Sequence, residues 1–195
     1  KRTHRPSDGS AVGGYLVEGL YANVTERKIP TFVNSDVTEI TEENGAVSGV
    51  KVTVEGQEKT IKSKAVILAT GGFGANLDMV SQLKPELKGF VTTNQEGSQG
   101  DGIKMAEKLG AQTVDMDQIQ IHPSVEQKTS YLITEAVRGE GAILINQEGK
   151  RFFNELETRD KVSAAIIGQE GKSAYVVFDE ALKGRVKAIN QYESK

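Results

Sequence analysis

The chain has 195 residues, 37% of them hydrophobic and 26% charged, with a formal net charge of −3. That balance describes an ordinary soluble globular protein, and no Lys/Arg-rich run argues for a nucleic-acid partner. There is no cysteine, which excludes disulfides, thiolate metal sites and cysteine nucleophiles from these residues.

No apolar run approaches the ~20 residues that span a bilayer. The longest, Ala65 to Ala69, has the length of a strand. No signal peptide is recognisable. Because the chain opens on Lys1 without a Met, a mid-protein start is expected, and a cytoplasmic location is preferred with an extracytoplasmic one left open. The two histidines, His4 and His122, are too few for a zinc site without carboxylate help, so no metal is expected.

In chain order, Ser10 is placed to cap a helix over 11–27. Val12, Leu16, Leu20 and Val24 recur every four residues along it as an apolar stripe. Pro30 ends it, and Thr31 to Asn34 reads as a short strand. An antiparallel meander follows: Val37 to Ile40, Val47 to Val54 and Lys59 to Lys62, joined at Asn44-Gly45 and Glu55-Gly56. Ala65 to Ala69 reads as a strand buried on both faces, as in a parallel sheet. It runs into Thr70-Gly71-Gly72-Phe73-Gly74.

A Gly-rich loop over 94–102 opens a helix from Ile103 to Leu109, closed by Gly110. The character changes near Asp115. Met116 to Pro123 is irregular, Tyr131 to Glu135 and Ala142 to Asn146 read as strands, Arg159 to Ile167 as a helix, and Ala174 to Phe178 as a buried strand. The fold class is therefore mixed α/β, with a boundary near residue 115 that separates 1–115 from 116–195.

Several motifs carry chemistry, each beside a plainer reading. Glycines directly after a buried strand let backbone lie against a flat ligand, and also make simple tight turns. The loop Gly97 to Gly102 could present N–H groups to an anion or a flavin side chain. Asp101 argues against a phosphate beside it, and taken alone the loop reads better as a surface loop with a helix cap. His122 stands alone and reads as structural or catalytic. Glu135 and Arg138 could be a surface ion pair, and Arg159-Asp160 a solvated helix start capped by Thr158. No GxSxG, HExxH or Walker loop is present.

Taken together, these segments resemble a family. Ala69-Thr-Gly-Gly-Phe, Thr93-Asn-Gln, Gly100-Asp-Gly, His122-Pro, Thr134-Glu-Ala-Val-Arg-Gly-Glu-Gly-Ala, Lys150-Arg-Phe, Asn154-Glu and Thr158-Arg-Asp-Lys run in the order and spacing of soluble, flavocytochrome c-type fumarate reductases. Those belong to the wider fumarate reductase/succinate dehydrogenase flavoprotein family. The resemblance covers essentially the whole chain and is most specific over 134–161.

The resemblance implies FAD as cofactor and a capping domain inserted into the FAD domain. Residues 1–115 would be the later part of the FAD domain, meander included, and 116–195 the start of the capping domain. It also implies that the amino-terminal GxGxxG element and the carboxyl-terminal substrate residues lie outside the chain. The isolated fragment is therefore expected to be inactive and to bind FAD weakly or not at all.

Carried over by position, His122 and Thr134 resemble ligands of a substrate carboxylate. Arg159 resembles the acid, and Glu135 and Arg138 the relay that restores its proton. Ala69, Thr70, Gly71, Gly72, Asn94, Gln95, Gly100 and Asp101 resemble FAD neighbours, and Val37 a backbone approach to the adenine. The implied reaction reduces fumarate to succinate, with hydride from flavin N5 and a proton from an arginine. The implied partner is a dicarboxylate, and the electron donor is not identifiable from these residues. A reductase of another unsaturated acid such as urocanate, or a stand-alone non-catalytic binding module, are the alternatives.

Overall fold

The computed structural model describes residues 6–186 and Ile189, so His4 lies outside the described residues. The chain divides into two compact units, 1–66 and 67–195. The expected boundary near residue 115 falls inside the second unit.

The first unit holds helix α1 (Val12–Glu26) and a three-stranded antiparallel sheet of β1 (Ser35–Glu43), β2 (Ala46–Val54) and β3 (Gln57–Lys62) in the order β1-β2-β3. Both hairpins turn on two residues with positive φ, Asn44-Gly45 and Glu55-Gly56. A two-residue turn of this hand matches the twist of the flanking strands, which is why the meander was legible. Ile40 and Val52 are its buried apolar residues.

Helix α1 forms where its periodicity placed it, but its start differs. Ala11, not Ser10, is the N-cap residue, and its methyl side chain makes no capping bond; the Ser10 N–H donates to Asp8 Oδ1 at 2.9 Å. None of its residues is buried, and Leu16 and Leu20 are 53% and 66% exposed. Thr31 to Asn34 does not form a strand; pairing begins at Ser35, opposite Val54.

The expected strand Ala65 to Ala69 is irregular, with Ile67 91% exposed. A strand buried on both faces needs a partner on each edge and cover on each side. Among the described residues none pairs with it. Its apolar composition reports that requirement, not a state these residues reach by themselves.

The second unit is built from short elements: α2 (Leu77–Leu83), α3 (Asp101–Lys108), α4 (Glu135–Gly139), β4 (Ile143–Ile145), α5 (Arg159–Ile167), β5 (Tyr175–Val177) and α6 (Glu180–Arg185). Strands β4 and β5 pair antiparallel, Leu144 opposite Val176. One core cluster joins Val137, Ala142, Leu182, Val186 and Ile189; a second joins Leu144, Val162 and Ile166, with Phe152 and Phe153 packed against it. These clusters hold α4, β4 and α5 together, the elements that carry the charged residues of the specific motif.

One expectation there is corrected. Tyr131 to Glu135 is not a strand: Leu132 makes an isolated bridge to Val125, and Thr134 already caps α4. The Thr134 oxygen accepts the Ala136 N–H at 3.4 Å, so Thr-Glu acts as a helix start. The consequence is chemical, because Glu135 and Arg138 come to share one helix face.

Candidate functional site

Arg159 is the first residue of α5 and Glu135 the first of α4, so two helix starts present opposite charges to one another. Arg159 donates from Nε to Glu135 Oε1 at 2.6 Å and from Nη2 to Oε2 at 3.0 Å. Its Nη1 donates to Gln120 Oε1 at 2.6 Å. The two parallel bonds to Glu135 are the strong bidentate form of an arginine–carboxylate contact. They raise the Arg159 guanidinium above its ordinary range and hold the Glu135 carboxyl below the usual carboxylate range. Arg159 and Glu135 remain partly open to solvent, at 39% and 46% side-chain exposure, so bound substrate could reach them.

Behind Glu135, one turn along α4, lies Arg138, which is 4% exposed. Its Nη2 stands 3.9 Å from Glu135 Oε1. Its Nε donates to Ser124 Oγ at 3.1 Å and its Nη1 to the Glu155 carbonyl at 2.8 Å. Burial pushes its pKa down, and the Glu135 charge opposes that shift. Arg138, Glu135 and Arg159 thus form a line of alternating charge from the interior to the exposed face.

His122 is half-buried beside this line. Its Nδ1 accepts the Ser124 N–H at 3.2 Å. A neutral imidazole that accepts at Nδ1 carries its hydrogen at Nε2 and can donate there. Burial, and then the positive charge of Arg159, hold its pKa below the ordinary histidine range. The irregular stretch Ile119 to Ile121 lines two clefts. One, lined also by Thr92–Asn94 and the apolar side chains of α2, contains His122; the other contains Arg159.

The proposed cofactor neighbours divide between the two units. Val37 lies in the first, on β1, and is 37% exposed. The others lie in the second, where two loops fold onto each other. Gly100 N–H donates to the Gly72 carbonyl at 3.1 Å, and Ala75 N–H to the Ser98 carbonyl at 3.0 Å. A Cβ at Gly102 would strike Thr70 Oγ1, so the start of α3 sits directly on Thr70.

Gly71 and Gly72 differ from Gly102. Both are exposed, with nothing within 4 Å of a Cβ placed there. Open glycine backbone beside the exposed apolar residues Ile67 and Leu68 fits the face of a flat ring system such as FAD carries. Gly100 is buried in the loop packing, and Asn94 Nδ2 bonds Thr92 Oγ1 at 3.0 Å. Among the described residues no cluster of His, Asp or Glu could hold a metal ion, and no helix is long and apolar enough to cross a membrane.

Sequence reasoning therefore nominated residues that do converge: His122, Glu135, Arg138 and Arg159, with Thr134 at the cap of the same helix. It missed Gln120, Ser124, Arg151 and Glu155. Gln120 had no signal beyond its place in an irregular polar stretch. Glu155 was hidden in a charged run that reads as solvent-facing, yet it is 3% exposed.

A cofactor-binding scaffold is the class that this fold and these loops fit. The model of the family described as FAD binding domain matches residues 2–192. The chain belongs to that family, among its fumarate reductase/succinate dehydrogenase flavoproteins, with FAD as the cofactor. An NADH:fumarate oxidoreductase of Klebsiella pneumoniae (strain 342) is 54% identical over 195 residues, which are 100% of this chain and 21% of that protein. A urocanate reductase of Eggerthella lenta is 42% identical over 142 residues, 70% of this chain and 23% of that protein. Among solved structures, the open conformation of a flavocytochrome c3 fumarate reductase aligns with TM-score 0.83 at 38% identity, covering 98% of this chain and 34% of that one. The chain spans about a fifth to a third of the length of these proteins.

Proposed function

We propose that this chain supplies part of the active site of an FAD-dependent reductase that converts fumarate to succinate. The observation that carries the reading is the line Arg138–Glu135–Arg159, buried at one end and open at the other. When bound, FAD supplies the hydride that reduces the alkene.

Reduction of a carbon–carbon double bond needs a hydride at one carbon and a proton at its neighbour. Arg159 delivers that proton. An arginine with an unperturbed pKa above ~12 is a poor acid in water. It serves here because charge builds on the substrate carbon as transfer proceeds, and because Glu135, held by two hydrogen bonds, passes the replacement proton from Arg138. His122, through Nε2–H, and Thr134 hold one carboxylate of the dianion.

Ala69 to Gly72, with Asn94, Gln95, Gly100 and Asp101 of the second unit, are assigned to FAD by the family resemblance, as is Val37 of the first. In domain terms, 1–115 is FAD domain and 116–195 capping domain. One feature supports that division: the clefts follow the seam between α2 and the loop after it on one side and the Ile119–Ile121 stretch with α5 on the other.

The test is Arg159→Lys in the intact FAD-loaded enzyme, with a reduced dye as donor. Lysine keeps the charge and loses the planar fork that holds Glu135 and substrate together. Turnover with fumarate should fall by about 10²-fold or more while FAD content stays normal. Near-normal turnover would overturn the reading. A urocanate arm in the same assay addresses the second substrate, which the 42%-identical urocanate reductase brings into question. Faster turnover of urocanate than of fumarate would replace the substrate and keep the relay.

A further inference from the structure

An ion pair between the exposed Arg151 and the buried Glu155, on the far side of Arg138, has no part in the reaction just described. Glu155 is 3% exposed although it belongs to a charged run, Asn154 to Lys161, that otherwise faces solvent. Its Oε1 accepts the Leu144 N–H at 2.8 Å and Arg151 Nε at 2.9 Å, and its Oε2 accepts Arg151 Nη2 at 2.7 Å. The carboxylate is thereby tied to β4, through a residue of the core, and clamped by a bidentate arginine. Burying a carboxylate is costly unless its partners are well aligned, so such a group is seldom incidental.

What this clamp holds in place is backbone. The Glu155 carbonyl accepts from Arg138 Nη1 at 2.8 Å, while Ser124 Oγ accepts from Arg138 Nε at 3.1 Å. A guanidinium is planar and rigid. Two acceptors on Nε and Nη1 therefore fix where Nη2 lies, 3.9 Å from Glu135 Oε1. The same carbonyl could hold nothing if the loop carrying it moved, and the Glu155 carboxylate is what anchors that loop to β4 and to Arg151.

We infer that Glu155, with Ser124, is a positioning residue of the proton relay: the Arg151–Glu155 clamp sets the carbonyl that aims Arg138 at Glu135. This rests on the relay reading above and extends it to residues that touch neither substrate nor cofactor. The negative charge of Glu155 also supports the cationic form of the buried Arg138.

The experiment uses the intact FAD-loaded enzyme and the variants Glu155→Gln, Ser124→Ala and Arg138→Met, alone and combined. Glu155→Gln keeps size and an acceptor oxygen but weakens the clamp. It should lower kcat for fumarate by about 10- to 100-fold, the scale of a misplacement of about 1 Å in a catalytic group. KM and FAD content should change little, and the solvent isotope effect on kcat should rise as proton delivery becomes slower. Without substrate, the Arg138 Nε–H, followed by 15N NMR, should exchange faster with water in the variant.

The decisive comparison is the background of Arg138→Met. If Glu155 acts through Arg138, adding Glu155→Gln there should cost nothing further. If the two losses multiply, or if Glu155→Gln leaves kcat, isotope effect and exchange as in the parent, Glu155 has no positioning role. Should Glu155→Gln fail to fold, Ser124→Ala, a small buried change on the other side of the guanidinium, carries the same comparison and the same outcomes. If Arg138→Met by itself leaves kcat unchanged, the relay reading fails and this inference with it, a result distinguishable from failure of the Glu155 step alone.

Discussion

Arg159 holds Glu135 with two parallel hydrogen bonds, Nε to Oε1 at 2.6 Å and Nη2 to Oε2 at 3.0 Å, across 24 residues of sequence. Both residues begin a helix, and the pairing of those two starts is the centre of the site. Because the bonds involve both carboxylate oxygens, Glu135 has a fixed orientation in which one oxygen also faces Arg138.

The first prediction follows from that orientation. Glu135→Gln keeps the size and an acceptor for Arg159 but cannot take up a proton and pass it on. Turnover with fumarate in the intact enzyme should fall by about 10²- to 10⁴-fold, the usual contribution of a positioned proton-transfer group. KM and FAD content should be close to normal. Steady-state kinetics with absorbance of released flavin checks this, and an unimpaired Gln variant would remove Glu135 from the relay.

A second prediction concerns pH. His122 has a folded-state pKa below its unfolded value, first through burial and then through the charge of Arg159. As pH falls through the unfolded value of ~6.5, the unfolded chain takes up this proton before the folded one does. Stability should therefore decrease as pH falls from ~6.5, and this component should level off below the lowered folded pKa. His122→Asn should remove it. Urea midpoints between about pH 5 and 8, compared for parent and variant, measure the difference. Parallel pH curves for the two proteins would refute the burial account of His122.

A third prediction addresses the loop packing. The Cβ introduced by Gly102→Ala would meet Thr70 Oγ1 at the start of α3. Overpacking of this kind costs about 1–3 kcal/mol. Removing the hydroxyl as well, with Thr70→Ala, should recover part of that loss, because the two substitutions share one contact. Thermal melts of the single and double variants test the coupling, and strict additivity would mean that Thr70 and Gly102 do not meet.

Much of the fold was legible because its signals are local. The two Xaa-Gly turns of the meander need only positive φ at neighbouring residues, which Asn44-Gly45 and Glu55-Gly56 supply. Helix α5 runs from Arg159 to Ile167 as its pattern indicated. Ala65 to Ala69 was misread for the opposite reason. Its apolar run reports an environment that pairing must create, and composition cannot say whether a partner strand is at hand.

For the site, the sequence alone nominated the residues. A histidine, two arginines and a glutamate in a motif order resembling one family nominate a dianion-binding, proton-delivering site, and those residues do converge. Only the tertiary structure decided their relations. It turned Thr134-Glu135 from the end of a strand into the start of a helix, which put Glu135 and Arg138 on one face. It also buried Glu155 within a run of charges that reads as solvated. The physical reason is that burial and hydrogen-bond partnership belong to pairs distant in sequence: Arg138 meets Ser124 across 14 residues and the Glu155 carbonyl across 17, and no local pattern encodes either contact.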